Sequence, residues 1–267
     1  MKRSPLLAGM LALALVCAPA ARAQQSGVDV WQTLLKEHYF PGIRIIEDQS
    51  VIALVTPYRA EDAAVTPVRI KARIAQTPQR YIETIYLLVD GNPEPLAAKL
   101  HFTPRIGRAD VAFRIRIDRY TNVRAIAVLN TGEHHMAVSF VKAQGGCAAA
   151  PVTAYEQAMA QMGRMVLRAK AGDDAWLAAQ LQVRHPNYTG MQMDYRIYAV
   201  RPAHFIKTVD VRLDGELLMR AETGISVSED PSYRFFVRPD AGAKLTAEVA
   251  DSKGNRWQDT LVLTGDR

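Results

Sequence analysis

The sequence contains very few cysteines: among 267 residues only Cys17 and Cys147 carry a thiol. Cys17 lies within an apolar run, residues 6–18, that follows two basic residues and precedes an Ala-Arg-Ala stretch. A short apolar run with a basic start and small residues at a cleavage point is typical of a secretory signal peptide. Residues 1–23 are therefore predicted to be removed. The remaining Cys147 cannot form an internal disulfide, so it is free, paired with another molecule or covalently occupied.

A long hydrophobic segment and a block of basic residues are also missing. The apolar run is shorter than the roughly 20 residues of a bilayer span, so we predict no retained membrane anchor. The formal net charge is +6 and falls to +3 when Lys2, Arg3 and Arg22 leave with the signal peptide. Nucleic-acid-binding proteins usually show a clustered basic footprint, which this sequence lacks. We therefore expect a periplasmic protein that binds neither membrane nor nucleic acid.

Motifs for familiar catalytic and metal sites are absent as well. The sequence has no GxSxG elbow, no phosphate loop and no GxGxxG, and it has no CxxC, HExxH or HxH spacing. Adjacent residues of a strand point to opposite faces, so His134 and His135 are poorly placed to ligate one metal ion. A Cys-His pair stays open, because His134, His135 or His185 could fold back toward Cys147. The prediction is no metal, no cofactor and no catalytic constellation.

What the sequence does contain is alternation of apolar and polar residues. Val68 to Ile74 and Val111 to Ile117 place apolar side chains on one face and cations on the other, as half-buried strands do. Turn signals separate further runs of this kind, with about seven strands before residue 143 and a second series after residue 178. This spacing predicts an all-β chain of two immunoglobulin-like antiparallel β-sandwich domains, residues 28–143 and 178–265.

The segment 144–177 separates these domains and is predicted to contain one α-helix. Thr153 and Glu156 fit a capping box, and a stripe of methionines at helical spacing extends the predicted helix over about 153–170. A helix packed on a neighbouring domain explains such a stripe, since methionine readily fills core gaps. An adaptable partner-binding face is the alternative. Near the N-terminus, Trp31, Leu34 and Leu35 are predicted to share one face of an amphipathic segment.

Cys147 lies in this separating segment, directly after Gly145 and Gly146 and before three alanines. Glycine adopts many backbone conformations, so a thiol after two glycines can swing or enter a narrow cleft. A structural cysteine is more often found in an apolar strand or in a disulfide. The pattern therefore predicts an accessible thiol on a mobile arm that carries a group or reacts. Such a thiol could also form a disulfide-linked homodimer.

The second half carries a family resemblance in four short stretches. They are Val183-Arg184-His185-Pro186, Thr189-Gly190, Pro202-Ala203-His204-Phe205-Ile206-Lys207 and Gly224-Ile225-Ser226-Val227-Ser228. These stretches resemble SoxZ, a subunit of the periplasmic sulfur-compound carrier of thiosulfate oxidation. The first half, which ends in Gly145-Gly146-Cys147, resembles SoxY, whose mobile arm holds a sulfur-carrying cysteine. The order of the two domains with the Gly-Gly-Cys between them resembles the fused carriers associated with quinoprotein dehydrogenases.

The resemblance implies a non-enzymatic carrier that holds a sulfur intermediate covalently on Cys147. Its implied partners are periplasmic oxidoreductases: Sox-type enzymes, c-type cytochromes or a quinoprotein dehydrogenase. Neighbouring cations would lower the pKa of the thiol, and Lys142 is the nearest in sequence, although a solvated strand-end lysine is the preferred interpretation of that residue. Two other functions stay open, a non-catalytic adaptor and a single-cysteine thiol enzyme.

Overall fold

The fold was analysed in a computed structural model that describes residues 29–172, 176–238 and 242–263. The predicted signal peptide, residues 1–23, lies outside the described residues. Nearly all regular structure is β-strand, which confirms the all-β prediction. Helix is confined to short segments, and no helix in the described ranges is both long and apolar enough to cross a bilayer.

The first half, residues 29–147, contains eight strands. Their bounds are β1 Ile45–Glu47, β2 Ile52–Val55, β3 Thr66–Ala72, β4 Ile82–Val89, β5 Leu96–Phe102, β6 Val111–Ile115, β7 Thr121–Leu129 and β8 His134–Val141. The alternation read from the sequence recurs in their burial; β3, for example, buries Val68 and Ile70 and exposes Arg69 and Lys71. One pair, β1 with β8, is parallel, whereas the others are antiparallel.

The second half, residues 165–263, contains nine strands in its described ranges, 165–172, 176–238 and 242–263. They are β9 Met165–Ala171, β10 Leu177–Val183, β11 Met193–Asp194, β12 Ala199–Val200, β13 Ile206–Leu213, β14 Glu216–Thr223, β15 Ser232–Val237, β16 Lys244–Asp251 and β17 Arg256–Val262. Two hairpins lie in this half: β13 pairs with β14 across the turn Asp214-Gly215, and β16 pairs with β17 across residues 252–255. The short β11 and β12 form a small sheet of their own.

The two halves share both of their sheets. The larger sheet has the order β1-β8-β7-β4-β5-β14-β13-β16-β17, and the smaller one has the order β2-β3-β6-β15-β10-β9. The halves meet where β5 pairs with β14 and where β6 pairs with β15. Apolar residues from both halves form one buried cluster between the sheets. The predicted sandwiches are therefore joined edge to edge, a feature that the sequence pattern did not reveal.

A short helical segment covers part of the outer face of the larger sheet. A π-helical turn, Trp31–Leu35, leads into α1, Lys36–Tyr39. Trp31 and Leu35 are buried there against a second, smaller apolar cluster with Ile126 and Met136. Leu34 was predicted on the same face but is 60% exposed. The prediction for Leu34 was wrong because it assumed α-helical spacing, whereas the wider π-helical turn places residues three apart on different faces.

The predicted helix over 153–170 is less than half as long in the structure. Helix α2 spans Tyr155–Gln161, and the chain then turns at Gly163 and enters β9. Thr153 makes no side-chain cap, because Ala154 occupies the N-cap position. Strand β9 buries Leu167 and exposes Arg168 and Lys170, so its side chains follow strand rather than helix periodicity. Strand β10 is paired on both sides, with β9 and β15.

Gly163 sets this turn, and we expect its replacement by alanine to lower the free energy of unfolding by about 3 kcal/mol. Its φ of +84° disfavours any side chain, and a Cβ there would lie 1.9 Å from Nε1 of Trp257. Gly254 offers a matched control, since its φ is +86° and nothing lies within 4 Å of its Cβ position. Urea denaturation would measure both variants. Equal losses would show that the contact with Trp257 is unimportant.

Candidate functional site

Cys147 is buried, with 0% of its surface exposed. It lies in a turn that follows β8, and the alanine after it returns to the surface. This placement corrects the prediction of an accessible thiol on a mobile arm. The segment 145–149, called here the cysteine segment, packs against both halves of the protein. Its contacts explain why the thiol is enclosed.

The two glycines bring the cysteine segment close to the first half. The N–H groups of Gly145 and Gly146 donate to the carbonyl oxygens of Asp118 (2.7 Å) and Ile117 (2.9 Å). A Cβ on Gly146 would lie 2.2 Å from the carbonyl oxygen of Ala63, so no larger residue fits. Gly145 has a φ of +78°, a conformation that L-residues seldom adopt. In this conformation Gly146 therefore serves close packing of the backbone, and Gly145 serves the positive φ of the turn, rather than mobility.

The second half holds the other side of the cysteine segment through polar side chains. The hydroxyl of Thr189 donates to the carbonyl oxygen of Cys147 at 2.7 Å. The amide of Gln192 donates to the carbonyl oxygen of Ala149 at 3.2 Å. Just beyond the segment, the carboxylate of Glu229 accepts from the N–H groups of Val152 and Thr153. Nearly all of these bonds use backbone atoms of the held chain, so other side chains at 147 could be held in the same way.

Arg116 is the cation beside the thiol, and it is itself only 2% exposed. Its Nη1 donates to the carbonyl oxygen of Gly146 at 3.2 Å, whereas its Nε has no hydrogen-bond partner among the described residues. Burial lowers the pKa of the guanidinium, and the nearby Glu229 opposes that shift. The sequence pattern had placed Arg116 on a wet strand face. That prediction was wrong because β6 ends at Ile115, before the alternation reaches Arg116.

The surroundings of Cys147 disfavour its thiolate. Burial raises the pKa of the thiol to about 12, and the carboxylate of Asp118 adds to the shift, while Arg116 partly opposes it. Lys142, the cation proposed from the sequence, instead lies over the ring of Tyr58 at 4.9 Å. A protonated thiol is a poor nucleophile. In the docked conformation the thiol is thus protected from solvent and from reaction.

The three histidines considered as partners of Cys147 have other contacts. His134 bonds to the backbone of Gly132, and His135 bonds to Asp48. His185 lies in a buried cluster with His204 and Asp251. Within the described ranges, no hydrogen bond joins any of these histidines to Cys147. The structure therefore does not assemble the Cys-His pair that the sequence left open.

The cluster of His185, His204 and Asp251 was missed by the sequence reasoning, because its members come from three distant parts of the chain: two loop residues and the last residue of β16. Their possible metal-ligating atoms lie within 4.8 Å of one another. His204 Nε2 lies 2.6 Å from a carboxylate oxygen of Asp251, which also accepts from the side chain of Asn255. The other oxygen accepts from the backbone of Lys253 and Asn255. These bonds fasten the β16–β17 turn to His204, whose backbone in turn pairs with that of Tyr188, the residue before Thr189.

Comparison with known families identifies the two halves. Residues 36–147 match the family model described as sulfur oxidation protein SoxY, and residues 165–262 match that described as sulphur oxidation protein SoxZ. The chain carries a SoxY-family domain followed by a SoxZ-family domain. The SoxY-family match ends at Cys147 itself. The cysteine segment is thus the end of the SoxY-family domain, and the SoxZ-family domain supplies Thr189, Gln192 and Glu229, which hold it and the residues just after it.

Solved structures with a similar fold cover part of the chain. The sulfur carrier protein SoxY from Chlorobium limicola f thiosulfatophilum is 24% identical, with a TM-score of 0.34, over 41% of this chain and 93% of that one. A superoxide reductase (neelaredoxin) from Ignicoccus hospitalis is 16% identical, with a TM-score of 0.34, over 38% of this chain and 94% of that one. None of the curated proteins compared with this chain matches it.

Proposed function

We propose that this protein is a periplasmic sulfur carrier that holds a sulfur-containing intermediate covalently on Cys147 and presents it to partner oxidoreductases. The observation that supports this most strongly is the position of the thiol. Cys147 ends the SoxY-family match and is held at the junction with the SoxZ-family domain. It is also the one cysteine left once the predicted signal peptide is removed.

In such a carrier, the conformation described above would be the docked state, and the enclosed thiol supports this proposal. About half a dozen hydrogen bonds hold the cysteine segment and the residues just after it, and each is replaceable by water when the segment leaves. Undocking exposes the sulfur and returns its pKa toward the ordinary value of a thiol. The carrier then alternates between a protected state and an exposed state that can enter a partner's active site.

Loading of the thiol requires an oxidant. Joining Cys147 to a thiosulfate-type anion forms an S–S bond and releases one proton and two electrons. The product is an S-thiosulfonate on the cysteine. The electrons must pass to a partner such as a c-type cytochrome, because the residues around Cys147 have no redox chemistry that could accept them. A quinoprotein dehydrogenase is the alternative electron-accepting partner that the fused arrangement suggests.

Intact-mass spectrometry of the protein from its native periplasm tests the proposal. We expect an added mass on the wild-type chain that a reducing agent removes, and no added mass on Cys147→Ser. Sulfur-dependent electron transfer by the partner enzymes should also be lost in Cys147→Ser. Full function of that variant would identify the protein as an adaptor instead. Turnover of a small substrate by the isolated protein would identify a thiol enzyme.

A further inference from the structure

The smaller sheet differs from the larger one in its charge. Its six strands contain no aspartate or glutamate and six cations: Arg69, Lys71, Arg114, Arg168, Lys170 and Arg234. The larger sheet, in contrast, carries acidic residues such as Glu83, Asp210 and Glu248 among its strands. The charges of the whole chain are nearly balanced, but the charged residues in the strands of the smaller sheet are all positive.

The six cations lie on the outer face of this sheet. The residues next to them in each strand, such as Val68, Phe113 and Leu167, are buried in the core. All six except the half-buried Arg114 are exposed. We call this surface the cationic face. It crosses the junction between the halves, since β3 and β6 come from one half and β15, β10 and β9 from the other.

The pairing register aligns these side chains in a row across the strands. The row runs Val55, Arg69, Ala112, Arg234, Gln180 and Arg168. Neighbouring strands lie about 4.8 Å apart, so successive arginines of the row are about 10 Å apart. The small Ala112 leaves a depression of about 640 Å³ between Arg69 and Arg234, lined also by Val55 and Phe113. The face thus offers spaced cations with apolar and neutral surface between them.

The six cations have no acidic side-chain partner within the part of the chain that the structure describes. Among the described residues, no salt bridge involves any of the six, whereas Arg124 pairs with Asp90 and Arg220 with Asp210 on the larger sheet. Arg114 donates only to a backbone oxygen, that of Asp230. Unpaired charges of one sign on a low-dielectric surface add to a strong local potential. A surface of this kind attracts a partner of opposite charge.

We propose that the cationic face docks an acidic protein surface, namely a partner whose aspartates and glutamates are spaced to meet Arg69, Arg234 and Arg168. One small anion cannot bridge cations about 10 Å apart, so the row does not form a pocket for a single sulfur oxyanion. The apolar positions in the row, Val55 and Ala112, suit contact with a folded protein, whose interfaces combine a polar rim with apolar contacts.

The location of the cationic face connects it to the thiol. Arg114 lines the face and also a cavity of about 310 Å³ together with Arg116, Ala150 and Val152. Those last two residues follow the cysteine segment directly. A partner docked on the face would therefore lie beside the segment that must undock to deliver Cys147. This step rests on the proposed carrier function, whereas the docking itself does not need the thiol.

Site-specific photo-crosslinking in the native periplasm tests the docking. A photoreactive residue at Gln180, between Arg234 and Arg168, should crosslink to a protein through peptides rich in aspartate and glutamate. Gln258, an exposed glutamine on the larger sheet, is the control position, and a photoreactive residue there should give no such crosslink. The triple variant Arg69→Glu, Arg168→Glu, Arg234→Glu should reduce the crosslink at least about tenfold. The control reversal Lys207→Glu, Lys244→Glu, Arg256→Glu should leave it unchanged.

Three results would overturn the inference. They are equal crosslinking from Gln258, no response to the triple charge reversal, and retention of the wild-type chain on vesicles containing phosphatidylglycerol that the triple reversal abolishes. The last result would assign the face to an anionic membrane instead. The experiment is repeated with Cys147→Ser, in which docking should persist. The remaining outcomes concern the wild-type chain. Docking of that chain without added mass on Cys147 would reject the carrier function, and added mass without docking would reject only the docking role of the cationic face.

Discussion

Replacing Gly146 with valine is expected to increase the rate at which Cys147 reacts with a small thiol reagent by about 100-fold or more. The docked conformation cannot accommodate a side chain at 146, because its Cβ would overlap the carbonyl oxygens of Ala63 and Ile117. The segment must then leave its site. The pKa of the thiol falls from about 12 toward its ordinary value of 9.0, and the thiolate population rises. Stopped-flow labelling at pH 8 with a chromogenic disulfide measures the rate.

Gly145→Ala is the control for this experiment. Nothing lies within 4 Å of a Cβ at 145, so the variant carries only the strain of a positive φ, about 1 kcal/mol or a rise of about fivefold in labelling. Equal rates for wild type and Gly146→Val would show that the segment is already undocked in solution. Gly146→Val should also accumulate disulfide-linked homodimer under oxidising conditions, whereas the wild type, whose thiol is buried, should form little of this dimer.

Acidification from pH 6.5 to pH 4 is expected to destabilise the protein through His185. Burial lowers the pKa of this imidazole from its ordinary 6.5 to about 4, and the neighbouring His204 contributes to the shift. Below pH 6.5 the unfolded state therefore binds a proton that the folded state does not, so stability falls as the pH falls until about pH 4. The full difference corresponds to about 3 kcal/mol. Urea denaturation at several pH values across this window measures it.

Asp251 extends the effect to lower pH. Burial alone would raise the pKa of its carboxyl, but hydrogen bonds from Asn255, His204 and Lys253 hold it at about 2. Its contribution to stability is present above the ordinary 3.8 and is lost as the pH falls through about 2. His185→Asn isolates the histidine, because the asparagine oxygen can still accept from the N–H of Asn187. This variant should lose most of the pH dependence between 6.5 and 4; an unchanged dependence would contradict the assignment to His185.

Much of the fold could be predicted from the sequence because strand periodicity is a local property. The two alternating runs singled out in the sequence, 68–74 and 111–117, overlap β3 and β6. The helix after the cysteine was overextended because the methionines at 159, 162 and 165 fit helical spacing across a turn. Arg168 and Lys170 alternate with apolar residues, a pattern that indicates a strand. The prediction instead followed the helical spacing of the methionines.

The environment of the thiol could not be predicted in the same way. Its identity as the candidate site follows from the count of cysteines and the two glycines before it. Its burial depends on Ala63, Ile117 and Thr189, which lie 30 to 84 positions away along the chain. No local pattern encodes such contacts. The same two glycines are compatible with a mobile arm and with a tightly packed turn, and only the position of the carbonyl oxygen of Ala63 distinguishes the two interpretations.

The shared sheets bear on how the newly made chain reaches its folded state. Before the second half is available, β5 and β6 each have an unpaired edge, and such edges readily pair with other chains and aggregate. In the completed protein β14 and β15 cover these edges. Synthesis as one polypeptide delivers both covering strands to the same molecule immediately after the edges form. Covalent fusion thereby shortens the time for which the edges of β5 and β6 stay unpaired, independently of any cargo on Cys147.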